Sequence, residues 1–251
     1  MRRKHKLRRT LIAHLAAVRP DIADPAAAIA AGRVRVNGSM VTNLASLVQA
    51  DASIVVVQST PLRGETKLCA ALAAFAVEVG GRVALDAGAA AGGFTRALLA
   101  AGARWVYAVE AEYGQLLGSL RPDPRVVSLE ATAIGALNRA LVPEVVELIT
   151  LDLSYLSVAT AVGQLRGVAV AEQADLIALV KPMFELRRGT TPSDRASLSH
   201  ALAHAAAGVA VAGWEVVAHA DSPVRGARGA AELFLHARHR SPAPRAMRRE
   251  P

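Results

Sequence analysis

Only four lysines, Lys4, Lys6, Lys67 and Lys181, stand among the 29 Lys and Arg residues of this chain. Two belong to a basic N-terminus, while Lys67 and Lys181 stand alone in a body that otherwise uses arginine. A guanidinium stays protonated under all working conditions, whereas a suitably placed amine can release its proton and act as a base. A lysine kept where arginine is the default therefore points to amine chemistry. Lys181 follows the apolar run "LIALV" and opens "KPMFE", and Asp152 follows "ELITL" in the same way. Glu232 opens the final "ELFL", and Lys67 opens the helical segment "KLCAALAAFAVEV". All four sit at the ends of elements, where side chains project beyond a sheet.

A second constellation lies in "RVALDAGAAAGGFTRALLAAG", residues 82–102, read as strand, glycine turn and helix. A dinucleotide turn wants G-x-G-x-x-G, with the pyrophosphate on the helix N-terminus. Here Ala90 stands at the second glycine, where a pyrophosphate needs close backbone approach. Asp86 at the strand tip would also repel a phosphate. The order Asp86, Gly88, Gly92, Gly93 suits a donor nucleoside without phosphate and with a positive sulfonium and amino group, namely S-adenosylmethionine. Glu110 ends the next strand, placed to accept hydrogen bonds from two ribose hydroxyls, and both acids fall at the C-terminal edge of the sheet. The plainer reading is a packing-driven turn with two ordinary surface acids.

The elements that must position these residues alternate from about residue 66 onward. Helices are expected over 67–79, 92–101, 114–120 and 193–212, and strands at "RVALD", "RWVYAVE", "RVVSL", "VELITLDL", "ADLIALVKP", "WEVVAHA" and "AELFLHAR". Near-continuous apolar strands alternating with helices predict an α/β fold, a mostly parallel sheet covered on both faces. The last two strands have no helix between them, so an antiparallel hairpin should close one edge. This is the arrangement of the Rossmann-like methyltransferases.

The first 60 residues read differently. Helical patterns at 7–19 and 25–31 lead into "GRVRVNGSMV", where Asn37-Gly38 marks a tight hairpin turn, and "ASIVVVQ" adds a strand. This stretch carries nine Lys/Arg against three Asp/Glu, and residues 238–251 carry five against one, while the body between is near neutral. A basic appendage on a neutral body suggests a polyanion-binding module, with solvated basic tails as the alternative. Two short helices and a small twisted sheet, with "AAGRVRVNG", resemble the S-four-type RNA-binding domain. That likeness assigns RNA contacts to Arg2, Arg3, Lys4, Lys6, Arg8, Arg9, Arg33 and Arg35. The expected domains are 1–60 for RNA binding, 61–240 for chemistry, and a basic disordered tail at 241–251.

Composition excludes several classes. At 53% hydrophobic and 20% charged the chain has material for a core, and no run reaches the ~18 apolar residues of a membrane helix. The single Cys69 excludes a disulfide framework and suits a reducing, cytoplasmic setting. The opening "MRRKHKLRRTLIAHLAAVRPD" mimics an export signal, but His14 interrupts its apolar run and no cleavage site follows.

"RGETKL", "LDAGAAAGGFT", "YGQLLGSLRPDPRV", "LDLSYLS", "LVKPMFE" and "ELFL" occur in the order seen in the TlyA-type ribosomal RNA 2′-O-methyltransferases, which this chain resembles. Some members of that family carry the name haemolysin. The resemblance covers nearly the whole chain and implies an S-four-type domain joined to an FtsJ-like methyltransferase domain. It implies S-adenosylmethionine as cofactor, ribosomal RNA or ribosomal subunits as partner, and no metal. It carries a Lys-Asp-Lys-Glu tetrad onto Lys67, Asp152, Lys181 and Glu232, and adds Phe94, Tyr113 and Asp152 to the cofactor contacts. In the implied reaction Lys181 takes the ribose 2′-proton, with a neighbouring ammonium and partial desolvation favouring its neutral form. Asp152 and Glu232 orient the amines, and in-line alignment of hydroxyl and methyl supplies most of the acceleration.

Departures from the family are also visible. Relatives usually carry Ser-Thr where this chain has Ala90-Ala91, and Gly-Asn where it has Gly229-Ala230. The linker "QSTPLRG" lacks an aromatic motif, and "LRRGTTPSD" is shorter than usual. Two alternatives stay open: a non-catalytic RNA- or ribosome-binding protein with a decayed donor site, which Ala90, Ala91 and Ala230 support, and a membrane-active haemolysin, which the family's older names suggest.

Overall fold

The computed structural model describes residues 8–30, 32–41, 43–57, 61–188, 192 and 194–240. Arg2, Arg3, Lys4, Lys6 and the tail 241–251 lie outside the described residues. The chain divides into two compact units, residues 1–60 and 61–251.

In the first unit, β1 (Arg8–Thr10) leads directly into α1 (Leu11–Val18), and α2 (Pro25–Ala30) follows. Then come β2 (Val34–Val36), β3 (Ser39–Met40), β4 (Leu47–Gln49) and β5 (Ile54–Val56). The expected helix over 7–19 is thus shorter at its start, because Arg8–Thr10 pairs antiparallel with β4. Asn37 and Gly38 both take positive φ, 50° and 85°, between the paired residues Val36 and Ser39. That is the conformation a two-residue hairpin requires and the reason for the Asn-Gly pair. Leu11, Leu15, Ile29 and Val34 pack as a small core, and Arg8, Arg9 and Arg35 are exposed around it, with Arg33 half-buried.

The second unit opens with α3 (Arg63–Phe75), then β6 (Val83–Ala87), α4 (Gly93–Ala100), β7 (Trp105–Val109), β8 (Val126–Leu129) and β9 (Val146–Leu151). It continues with α5 (Val158–Gln164), β10 (Val170–Val180), α6 (Pro182–Glu185), α7 (Arg195–Val211), β11 (Trp214–Asp221) and β12 (Leu233–His239). Its seven strands form one sheet in the order β11-β12-β10-β9-β6-β7-β8. The run from β10 to β8 is parallel throughout. β12 enters antiparallel between β10 and β11.

Period-two alternation explains why the strands read as continuous apolar runs. On β10, Leu176, Ala178 and Val180 join the core that includes α5 and α7, while Ile177 and Leu179 join the one under α3 and α4. A strand buried on both faces has no polar side to show.

The helix expected over 114–120 is absent: the segment is a series of bends and turns. Leu116 and Leu120 have helical spacing, but Gly114 and Gly118 interleave with them and Pro122 follows. The segment's backbone bonds are not those of a helix: Leu116 N–H donates to the Glu130 carboxylate, Leu117 N–H to Ala91 O, and Leu120 N–H closes a single turn on Leu117 O. Both leucines pack instead against the glycine turn at Gly92, where a Cβ would fall 2.1 Å from Leu120 Cδ1.

Candidate active site

The sheet topology gathers one edge into a site. β6, β9 and β10 are parallel, so the residues just past their C-terminal ends, Gly88, Asp152 and Lys181, share one edge. β12 runs the opposite way, so its start falls at the same edge, and the Val180–Leu233 register sets Lys181 opposite Glu232. α3 brings Lys67 from its first turns. Residues 67, 152, 181 and 232 thereby line one cavity of about 580 Å³, within the usual range for small-molecule sites.

Inside it the four charges form two ion pairs. Lys67 Nζ lies 2.5 Å from Glu232 Oε2, with both side chains under a tenth exposed. Lys181 Nζ lies 2.6 Å from Asp152 Oδ1 and also donates to Ser154 Oγ at 2.9 Å. Each ammonium has its own carboxylate, which offsets the cost of burying it. Arg63 donates to the carbonyls of Arg225 and Gly226 and holds the turn before Glu232 against the start of α3. Gly226 is glycine because a Cβ there would meet Glu232 Oε1 at 2.1 Å.

The glycine turn also lines the cavity, through Gly88, Ala89, Ala90, Ala91, Gly93 and Phe94. Gly88 has φ 88° and no room for a Cβ, which would sit 2.5 Å from the Asp152 carbonyl oxygen. Gly92 caps α4 in the left-handed region and packs against leucines, so it shapes the turn without lining the cavity.

Asp86 lies beneath the turn, fully buried, and accepts hydrogen bonds from Thr95 Oγ1 at 2.7 Å and Thr150 Oγ1 at 3.0 Å. Burial pushes its carboxyl up to about 6, against the opposing pull of the two hydroxyls. Glu110 is half-buried, with its carboxylate accepting from Ala90 N–H at 2.9 Å and Glu112 N–H at 3.1 Å. Neither acid lines the cavity, and Tyr113 is 81% exposed and away from it. The structure thus brings together Lys67, Asp152, Lys181, Glu232, Gly88, Gly93 and Phe94, and sets Asp86, Gly92, Glu110 and Tyr113 behind or outside them.

The cavity's chemistry fits a nucleoside without phosphate better than a pyrophosphate. Its walls carry Leu62, Phe94, Met183 and Phe184, and both lysines are already engaged by carboxylates. The FtsJ-like methyltransferase family model matches residues 61–239.

The chain belongs to the FtsJ-like methyltransferase family.

It is 41% identical over 219 residues to the 16S/23S rRNA (cytidine-2′-O)-methyltransferase TlyA of Mycobacterium tuberculosis, a match covering 82% of this chain and 80% of that one. It is 33% identical to Hemolysin A of Brachyspira hyodysenteriae, covering 83% and 90% of the two chains. A crystal structure of a hemolysin-named protein from Lactococcus lactis superposes with a TM-score of 0.67 at 28% identity, over 70% of this chain and 87% of that one. Among the described residues no helix is long and apolar enough to cross a membrane.

Several residues of the candidate site have no clear signal in the sequence. Ser154 stands inside "LDLSYLS", but nothing there marks it as a partner of Lys181. Arg63 opens "RGETKL" and Gly226 stands in no motif, and only the fold shows them bracing Glu232. Glu185 ends "KPMFE" and is buried, accepting from Val158 N–H and pairing with His204 Nδ1 at 2.8 Å. It ties the segment after Lys181 to α5 and α7.

Proposed function

We propose that this protein transfers a methyl group from S-adenosylmethionine to a ribose 2′-hydroxyl of ribosomal RNA. The observation that carries the reading is the meeting of Lys67, Asp152, Lys181 and Glu232 in one cavity that the glycine turn also lines. The family match and the activity for which the M. tuberculosis relative is named support it.

The donor would lie against Gly88–Ala91 and Phe94, with Asp152 near its charged end, and supplies an electrophilic methyl when bound. Glu110, which keeps unused lone pairs beside the turn, would accept from the ribose hydroxyls. Asp86 holds the turn from below through Thr95 and Thr150. Lys181, as the neutral amine, would accept the 2′-proton at Nζ, while Asp152 and Ser154 fix the direction of that nitrogen. Lys67, held by Glu232, would place positive charge where the alkoxide develops. Apolar walls exclude water around the hydroxyl. Residues 1–60 would supply phosphate contacts through Arg8, Arg9, Arg33 and Arg35.

The test is nucleotide-resolution mapping of 2′-O-methylation after incubating unmodified ribosomal subunits with the purified protein and S-adenosylmethionine. New 2′-O-methyl sites are expected. Methyl transfer to base nitrogens or carbons instead would replace the ribose assignment, and no transfer at all would favour a non-catalytic RNA-binding role.

A further inference from the structure

A second, smaller cavity of about 350 Å³ adjoins the first. The two share Met183 and Phe184 of α6 as a common wall, and Ser154 and Tyr155, neighbours in the chain, line one cavity each. The far side of the second cavity is polar and cationic, made by Ser157, Thr160, Arg187 and Arg188.

Arg187 is the informative residue. Its side chain is exposed and has no hydrogen-bond or ion-pair partner among the described residues. Arg188, by contrast, is steadied by a hydrogen bond from Nη1 to Ser197 Oγ at 3.1 Å and by the charge of Asp194. Arg187 also occupies the left-handed position that ends α6, with φ 49°. The bonds Leu186 N–H to Pro182 O and Arg188 N–H to Met183 O close the helix on either side of it. Glycine is the usual residue in that position, since it adopts the conformation without steric cost. An arginine there accepts backbone strain and presents an uncompensated guanidinium to the cavity.

The hydroxyls complement it. Ser157 Oγ accepts from Thr160 N–H at 3.2 Å and lies 2.8 Å from Thr160 Oγ1. One hydroxyl hydrogen is spent between them, so the other remains to donate outward. A forked cation and a hydroxyl donor facing one small space match the oxygens of a phosphate.

We propose that this cavity seats a phosphodiester of the RNA strand under modification, the one flanking the target ribose, with Arg187 as its principal ligand. The inference rests on the ribose-methylation reading above. A 2′-hydroxyl and its adjacent phosphate belong to the same nucleotide, so a site presenting the hydroxyl at Lys181 must hold a phosphate close beside it. The cavity across the Met183–Phe184 wall is the place the fold provides.

Arg187→Gly in the full chain is the deciding variant, because it removes the guanidinium while suiting the left-handed backbone. Its KM for ribosomal RNA should rise roughly ten-fold, with kcat and the donor dissociation constant unchanged and the melting temperature maintained. Its binding to a short single-stranded oligoribonucleotide should lose ~0.7 from the slope of log affinity against log salt, as expected for one phosphate contact. Arg187→Lys should recover most of that slope. With methylphosphonate linkages, which carry no charge, parent and Arg187→Gly should bind equally. An unchanged KM and salt slope in Arg187→Gly would overturn the assignment, as would a fall in kcat alone. If the parent protein methylates no ribose, the reading of function fails on its own account, while the salt slopes still decide for or against Arg187.

Discussion

Lys67 Nζ and Glu232 Oε2, from residues 165 positions apart in the chain, meet at 2.5 Å in a buried ion pair. The companion pair, Lys181 and Asp152, is closed at 2.6 Å but is more open to solvent. Burial decides what each pair contributes to stability, because removing one partner strands the other charge.

Glu232→Gln should therefore destabilise the methyltransferase unit on the order of 3–5 kcal/mol, the usual cost of an uncompensated buried charge. Asp152→Asn should cost markedly less, since Lys181 keeps Ser154 and some access to water. Chemical denaturation of the two variants checks the order. Equal losses would show that burial is not what separates the pairs.

Lys181→Arg keeps a positive charge that does not leave as a proton near neutrality. If Lys181 removes the 2′-proton, single-turnover methylation should collapse by several orders of magnitude while donor binding persists. A variant within a few-fold of the parent rate would assign Lys181 to charge placement alone. Asp152→Asn serves as the control, with a partial loss of rate and unchanged RNA affinity.

Asp86 makes stability depend on pH in a defined direction. Its carboxyl is raised to about 6 in the folded state, above the value of 3.8 it takes unperturbed. The folded unit thus binds this proton more tightly than the unfolded chain. Its contribution is fully present below the unfolded value and is lost as pH rises through 6, a difference of about 3 kcal/mol. Asp175 works oppositely: burial would raise it, but hydrogen bonds from His236 and Arg82 hold it down to about 2, so its support fails only in stronger acid. Asp86→Asn should flatten the change in melting temperature between about pH 7 and pH 5 relative to the parent. An identical profile in the variant would place that titration elsewhere.

The N-terminal unit carries a prediction of its own. Replacing exposed Arg8, Arg9 and Arg35 by glutamine should weaken RNA binding and reduce its log-log salt slope by ~0.7–0.9 for each phosphate that is no longer neutralised. Donor affinity and folding should be unaffected. An unaltered slope would show that this face does not touch RNA.

The fold is readable wherever an apolar pattern has a single cause. Leu176–Val180 could only be a strand buried on both faces, and Asn37-Gly38 could only turn a hairpin. The reading fails where side-chain spacing and backbone preference disagree. Leu116 and Leu120 are four apart because both reach Gly92, not because a helix joins them. Arg8–Thr10 shows no apolar alternation, so its pairing with β4 leaves no trace in sequence. α5 is hard to see because "VATAVGQ" is short and rich in β-branched residues, with Ser157 as its one clear cap.

The candidate site divides in the same way. Lys181, Asp152 and Glu232 are visible because they flank apolar runs, the first two ending one and Glu232 opening one, at a common sheet edge. Glu110 and Asp86 are also visible as strand-end acids, yet their carboxylates brace the glycine turn in this structure. A strand-end position specifies the edge of the sheet, whereas the rotamer that faces cavity or core depends on neighbours far along the chain. Arg63 and Gly226 act on Glu232 through such distant neighbours, a role that no local pattern marks.

The placement of β12 sets the order in which this molecule becomes itself during synthesis. Chains emerge from the N-terminus, but β12, the last of the sheet's described strands, belongs in the interior of the sheet beside β10. Until it arrives, β10 presents an open backbone edge along its apolar stretch, a template for pairing with the wrong chain. β11 emerges earlier yet has no strand to pair with until β12 follows it. A chain halted anywhere before residue 232 would lack both the strand that closes the sheet and the carboxylate that neutralises Lys67. Termination before residue 232 should consequently yield aggregation-prone fragments rather than a weakened enzyme.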